Sequence, residues 1–210
     1  TKPDATPVTD ADRAVERALR ELVARERPGE GVNGEEEGDD GGSTRWVVDP
    51  IDGTRNFLRG VPVWATLVAL EREGRIVCGV ASAPALRRRW WASAGHGAWS
   101  DAGAVRVSAV TTLADASVSC AHGRDLASLE QRVWHARGLG DFWQHVLVAE
   151  GAVDAVVDAE LKLWDYAAVA LIVEEAGGRT TALDGAPPRP GEQVVSSNGA
   201  VHDELLAAIL

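Results

Sequence analysis

The sequence predicts a mixed fold, with an α+β lobe over residues 1–115 packed against an α/β lobe over residues 116–210. Three observations lead there. Ala11, Val15, Ala18, Leu19, Leu22 and Val23 recur at helical spacing near the start. The middle of the chain is a succession of short segments rich in β-branched and aromatic residues. After Val105 strand-like and helix-like segments alternate. With 210 residues and 45% hydrophobic content the chain can bury one compact core.

Taken in order, Thr9 to Arg27 reads as one amphipathic helix stopped by Pro28-Gly29, with Thr9 and Asp12 resembling a capping box. Glu30 to Ser43, rich in glycine and acids, reads as loop. Strands are predicted at Arg45 to Asp49, Val63 to Leu70, Ile76 to Ala83 and Arg89 to Ser93. A strand at Ser117 to Cys120 follows, then helices at Leu126 to His135 and Phe142 to Glu150, and a buried strand at Val153 to Val157. Trp164 to Ala176 reads as a helix closed by Gly177-Gly178, Gln193 to Ser196 as a last strand, and the C-terminus as a helix. Methionine is absent, even at position 1, so an N-terminal segment is expected to precede Thr1.

Composition narrows the function classes. A net charge of −11 argues against a nucleic-acid partner, and Arg87-Arg88-Arg89 runs straight into Trp90-Trp91, as a strand edge would. Cys78 and Cys120 lie far apart without metal-ligand spacing, which predicts neither a disulfide framework nor a zinc site and points to a reducing cytoplasm. The apolar runs are too short to span a bilayer, so no membrane partner is expected.

The segment Trp46-Val-Val-Asp49-Pro-Ile-Asp52-Gly53-Thr54 concentrates the chemistry, because it sets two carboxylates three residues apart at the end of an apolar strand. Pro50 fixes a dihedral and Gly53 permits a tight turn, so hard oxygen ligands for a divalent cation and free N–H groups for a phosphate can share one strand end. Alternatives stay open at each acid. The Asp49/Asp52 pair also suits an Asx-turn, Glu35-Glu36-Glu37 a solvated face, Asp165 a helix N-cap, and Asp12 its capping box.

Four motifs in order then carry a resemblance to the inositol monophosphatase family of magnesium-dependent sugar phosphatases. They are Val8-Thr9-Asp10-Ala11-Asp12, Gly34-Glu35-Glu36, the Trp46 to Phe57 segment, and Trp164-Asp165-Tyr166 running to Gly177-Gly178. The likeness covers nearly the whole chain and implies a layered αβαβα fold, with a first helix expected before Thr1. It implies two or three Mg²⁺, with Mn²⁺ as a substitute. The ligands would be Glu35, Asp49, the main-chain oxygen of Ile51, Asp52 and Asp165, with Asp12 near a third, weaker cation. Glu35 and Thr54 would orient the attacking water and take its proton, with Asp49 held between the cations. Phosphate monoesters need accelerations up to about 10²¹-fold. A lone acid–base pair supplies roughly 10²- to 10⁴-fold, so charge stabilisation by paired cations has to dominate.

Substrate choice is expected beyond the metal ligands. Gly140-Asp141-Phe142-Trp143 resembles the histidinol-phosphatase branch of the family, where inositol enzymes carry a stretch of small residues. The resemblance implies substrate contacts at Asp52, Gly53, Thr54, Asp141, Asp158 and Asp165; Arg137 is a weaker candidate for the substrate rim and reads more readily as a surface arginine. Asp141 and Asp158 together would suit the ammonium and imidazole of L-histidinol phosphate, although Asp141 also suits an N-cap. An inositol-1-phosphate phosphatase is the alternative substrate reading, and an inactive metal-binding member of the family is the rival from another class. The family's habit of dimerising implies a homodimer.

Overall fold

The computed structural model describes residues 9–120 and 129–209. Helix α1 spans Asp10–Glu26. Thr9 is its N-cap, its hydroxyl accepting the Ala11 and Asp12 N–H groups at 3.1 and 3.3 Å, while Asp12 Oδ2 accepts the Thr9 N–H at 2.8 Å. The predicted capping box is therefore present, with Asp in place of the usual Glu. Val8, the first residue of the N-terminal motif, lies outside the described residues.

The first sheet contains β1 (Gly31–Gly34), β2 (Gly38–Asp39), β3 (Thr44–Asp52), β4 (Ala65–Arg72), β5 (Arg75–Ala83), β6 (Arg88–Ser93), β7 (Ala98–Ser100) and β8 (Gly103–Ala104), with the short helix α2 (Thr54–Leu58) following β3. Its order is β2-β1-β3-β4-β5-β6-β7-β8, antiparallel except where β1 runs parallel to β3. The second sheet holds β9 (Ser117–Cys120), β10 (His135–Arg137), β11 (Ala155–Leu161), β12 (Arg179–Ala182) and β13 (Glu192–Ser197) in the order β10-β9-β11-β13-β12. Among the described residues three longer helices follow: α3 (Asp141–Ala149), α4 (Leu163–Glu175) and α5 (His202–Ile209).

Side-chain alternation sorts these elements into layers. Leu19 and Val23 of α1 pack on Val32, Trp46 and Val48, which face outward from the first sheet. Val47, Leu67, Ala81 and Trp90 face inward, onto α3 and α4. α4 is apolar on all sides because both sheets sandwich it, and a Cβ at Gly79 of β5 would fall 2.8 Å from the Ala168 carbonyl oxygen. In β11, Val156 points to this inner core while Ala155 and Val157 point to the far side, where Leu205 and Leu206 of α5 cover them. The result is an αβαβα stack. No described helix is long and apolar enough to cross a membrane.

Two expectations need correction. Glu30 to Ser43 is more than loop, since β1 pairs with β3 and β2 folds back on β1. Val32 is its one large apolar residue, so the signal for a strand lies in the partners and in glycine: a Cβ at Gly34 would sit 2.1 Å from Glu16 Oε1. The helix expected from Leu126 to His135 falls in part on residues 126–128, outside the described residues. Beyond them, Glu130 to Trp134 forms turns and bends, and His135–Arg137 joins β9 as a parallel strand. Leu129 alone of the described part of that span is helical and fully buried, while Trp134 is 74% exposed, so the segment offers no continuous apolar face to hold a longer helix.

Candidate metal centre

The strand end that carries Asp49 and Asp52 is bent by a bulge. Asp49 pairs with Leu67 and Asp52 with Ala65, so three steps on β3 oppose two on β4. Residues three apart on a regular strand face opposite ways; the extra residue turns both carboxylates to one side. Pro50 occupies the bulge, and its carbonyl accepts the Thr66 hydroxyl at 2.9 Å. Gly53 then takes a left-handed conformation (φ 82°) that starts α2.

Other elements converge on this turn. Asp165, in the first turn of α4, brings its carboxylate to Asp49 and Asp52, ligand atoms of all three lying within 4.8 Å of one another. It is not the N-cap: Lys162 holds that position, and Asp165 Oδ2 accepts the Lys162 N–H at 2.6 Å. Glu35 comes from the β1–β2 turn and lies close enough to Asp49 to raise its proton affinity. A cavity of about 320 Å³ is lined by Glu35, Asp49, Asp52, Asp141, Asp158 and Asp165, with Ile51, Gly53 and Thr54 beside them. The Thr54 hydroxyl donates to the Ile51 carbonyl at 3.0 Å, leaving that oxygen a second lone pair.

Asp141 does not cap its helix either. Gly140 is the N-cap residue and offers no side chain, and the Phe142 N–H is instead accepted by Asp52 Oδ2 at 2.6 Å. Asp52 thus anchors α3 across 90 residues of sequence. Asp141 sits at φ 50°, a left-handed conformation that Asp tolerates better than most residues. Its Oδ2 accepts from Asn56 Nδ2 at 3.0 Å, in a position 3.2 Å from where a Gly53 Cβ would be. Asp158 occupies a second bulge, on β11, and also faces the cavity.

Two predicted site residues lie elsewhere. Asp12 stays in its capping box, fully buried, with Oδ1 lacking a hydrogen-bond partner among the described residues. Arg137 is on the edge strand β10, its Nε 2.8 Å from His135 Nε2, and does not line the cavity. Sequence reasoning missed Arg55, Phe142 and His145, which do line it. Arg55 directly follows the Asp-Gly-Thr turn, and His145 is four residues after Asp141 on one helix face, so spacing alone would have nominated both.

Electrostatics identify what the cluster lacks. Burial, with Asp52, Glu35 and Asp165 alongside, pushes Asp49 well above the ordinary carboxylate range. Burial and Asp141 do the same to Asp52 against the opposing Phe142 N–H. Asp165 is raised to about 7, chiefly by burial. Asp141 is raised by burial and Asp158, with Arg55 opposing. Asp49 Oδ1 is buried with no hydrogen-bond partner among the described residues. Carboxylates crowded in this way cannot all ionise without added positive charge, and an oxygen-only donor set suits a hard divalent cation.

All of the chain, residues 1–210, matches the inositol monophosphatase family. The chain belongs to the inositol monophosphatase family. Within that family it is 49% identical to a histidinol-phosphatase of Mycobacterium tuberculosis, covering 100% of this chain and 86% of the relative. It is 50% identical to a histidinol-phosphatase of Streptomyces coelicolor, over 98% and 85% of the two chains. Among solved structures, an IMPase of Thermotoga maritima superposes with a TM-score of 0.91 at 32% identity, covering 98% of this chain and 84% of that one. The layered fold read from the two sheets is thus the fold of the family.

Proposed function

We propose that this protein is a magnesium-dependent phosphomonoesterase that hydrolyses L-histidinol phosphate to L-histidinol and inorganic phosphate, a step of histidine biosynthesis. The observation that carries this reading is the shared cavity. Asp141 and Asp158 line the same space as Asp49, Asp52 and Asp165, so acids beyond the metal cluster face whatever alcohol the phosphate carries. An ammonium or imidazolium gains more from them than a neutral polyol, which offers hydroxyl donors without a countercharge. The two histidinol-phosphatases at 49% and 50% identity support the same choice.

Glu35, Asp49, the Ile51 carbonyl, Asp52 and Asp165 would hold two Mg²⁺, for which Mn²⁺ can substitute, and Asp12, whose buried Oδ1 has no hydrogen-bond partner among the described residues, would serve a weaker third cation outside that cavity. Cations held there would supply the positive charge that offsets what develops on the attacking and departing oxygens. The chain's own groups do the rest. Glu35 and the Thr54 hydroxyl orient the attacking water, and Glu35 takes its proton. The N–H groups of Gly53 and Thr54 hold phosphoryl oxygens, as free N–H groups after a turn can. Water is the nucleophile in this scheme, since Glu35 and Thr54 supply its activation and no covalent phosphoenzyme is needed.

Within this reading the enzyme is a cytoplasmic homodimer. Trp99, 44% exposed on β7, supplies apolar surface of the kind a subunit interface buries. The rival substrate, inositol 1-phosphate, is separated by phosphate release from the two esters at equal concentration. Faster release from L-histidinol phosphate is expected, and faster release from inositol 1-phosphate rejects the assignment. An inactive relative would release none from either at any Mg²⁺ concentration.

A further inference from the structure

Helix α3 carries two consecutive polar residues, Gln144 and His145, that are 0% and 1% exposed. Buried amide and imidazole groups are costly unless every polar atom is bonded, and an apolar pair would fill the same space at no such cost. Both residues end on one atom. Gln144 Nε2 donates to Asp158 Oδ2 at 2.5 Å, and His145 Nε2 lies 3.1 Å from the same oxygen.

Each donor is itself oriented from behind. Gln144 Oε1 accepts the Ser119 hydroxyl of β9 at 2.7 Å, which fixes which end of the amide faces Asp158. His145 Nδ1 is 2.9 Å from the Ser196 hydroxyl of β13, and Ser196 is 3.1 Å from the Thr180 hydroxyl of β12. With Thr180 donating to Ser196 and Ser196 to Nδ1, the imidazole presents Nε2–H to the carboxylate. The Ala159 N–H takes one direction on Oδ1 at 2.8 Å. Of the roughly four lone-pair directions of a carboxylate, protein donors thus occupy three, and one on Oδ1 is left beside the cavity that Asp158 lines.

We propose that Gln144 and His145 are positioning residues for substrate choice: they hold Asp158 as a rigid acceptor with one direction open, and so select phosphate esters whose alcohol carries a cationic N–H donor over esters of neutral alcohols. The inference rests on the phosphatase reading above and assigns its selectivity to a relay running from β12 and β13 through α3 to the cavity. Neither residue hydrogen-bonds to Asp49, Asp52 or Asp165 in the contacts described, although His145 lines the same cavity, so the ratio between two esters, rather than the rate on either one, isolates their effect on the alcohol.

The test is steady-state hydrolysis of L-histidinol phosphate and glycerol 2-phosphate by the full chain in Mg²⁺. For His145→Phe the ratio of kcat/KM values, cationic over neutral, is expected to fall about tenfold, the equivalent of one lost charge-assisted hydrogen bond. The fall should come more from a raised KM than from kcat. His145→Gln, which keeps an N–H donor, should restore most of the ratio. If His145→Phe does not fold, Ser196→Ala, which only frees Nδ1, should lower the ratio about threefold. A ratio within about twofold of wild type in the folded variants, with both esters affected in parallel, overturns the inference alone. A wild-type preference for glycerol 2-phosphate overturns the substrate reading and this inference with it.

Discussion

The carboxylate of Glu16 accepts the backbone N–H of Glu36 at 2.8 Å, and with its other oxygen that of Glu37 at 3.0 Å, tying helix α1 to the turn that carries Glu35. Glu16 is fully buried, and Arg20, one turn later, supplies its countercharge at 2.9 Å. Gly34 lets the turn approach this closely. Glu16→Ala therefore strips two N–H groups of their acceptor and leaves Arg20 without its buried partner. A loss of about 3 kcal/mol in urea unfolding is expected, with a raised Mg²⁺ requirement for phosphate release. Unchanged Mg²⁺ dependence in the folded variant would separate α1 from the site.

Asp49 stands at the centre of the cluster, beside Glu35, Asp52 and Asp165. Asp49→Asn keeps its shape and removes its charge. Phosphate release should be abolished, while the melting temperature in EDTA stays the same or rises, because one of several mutually repelling buried acids has gone. Full activity in this variant would end the scheme.

Stability should depend on pH in a way that metal removes. Asp165 has its proton affinity raised from the ordinary 3.8 to about 7 in the folded chain, mainly by burial. Between those values the folded state holds a proton that the unfolded state has released, so the contribution is present below about pH 4 and lost as pH rises through about 7. The metal-free protein should therefore melt at progressively lower temperature from pH 5 to pH 8, and saturating Mg²⁺ should flatten or reverse the trend. Parallel curves with and without Mg²⁺ would detach Asp165 from cation binding.

Asp141 combines a left-handed backbone with a bond to Asn56 and a place beside Gly53. Asp141→Asn preserves the backbone preference and removes the charge. Its kcat/KM on L-histidinol phosphate should drop about tenfold, with a much smaller drop on glycerol 2-phosphate; Asp141→Ser should show the same contrast. Equal losses on both esters would make Asp141 a structural residue of the α2–α3 contact.

Much of this arrangement could be read before any coordinates, and the parts that could not share a cause. The strands that became β3 to β6 and the helix α4 carry their own patterns of β-branched or apolar residues, so local physics suffices. β1 has only Val32 as a large apolar residue and exists because β3 and α1 hold it. β10 is likewise made by its parallel partner β9, since His135-Ala136-Arg137 carries no large apolar residue of its own. At the site, the Asp49/Asp52 turn is contiguous and therefore legible. The capping of α3 by Asp52 and the convergence of Gln144 and His145 on Asp158 are tertiary contacts between elements that are silent about each other in the sequence. A capping role for Asp141 and Asp165 was the natural local reading, and long-range contacts displaced it in the first case while Lys162 displaced it in the second.

The most direct test of the central claim is anomalous diffraction from crystals grown with Mn²⁺ and inorganic phosphate. The account predicts manganese peaks among Glu35, Asp49, Asp52 and Asp165 with phosphate against the Gly53–Thr54 turn. Manganese absent from that cluster, at a concentration that saturates phosphate release in solution, would contradict it.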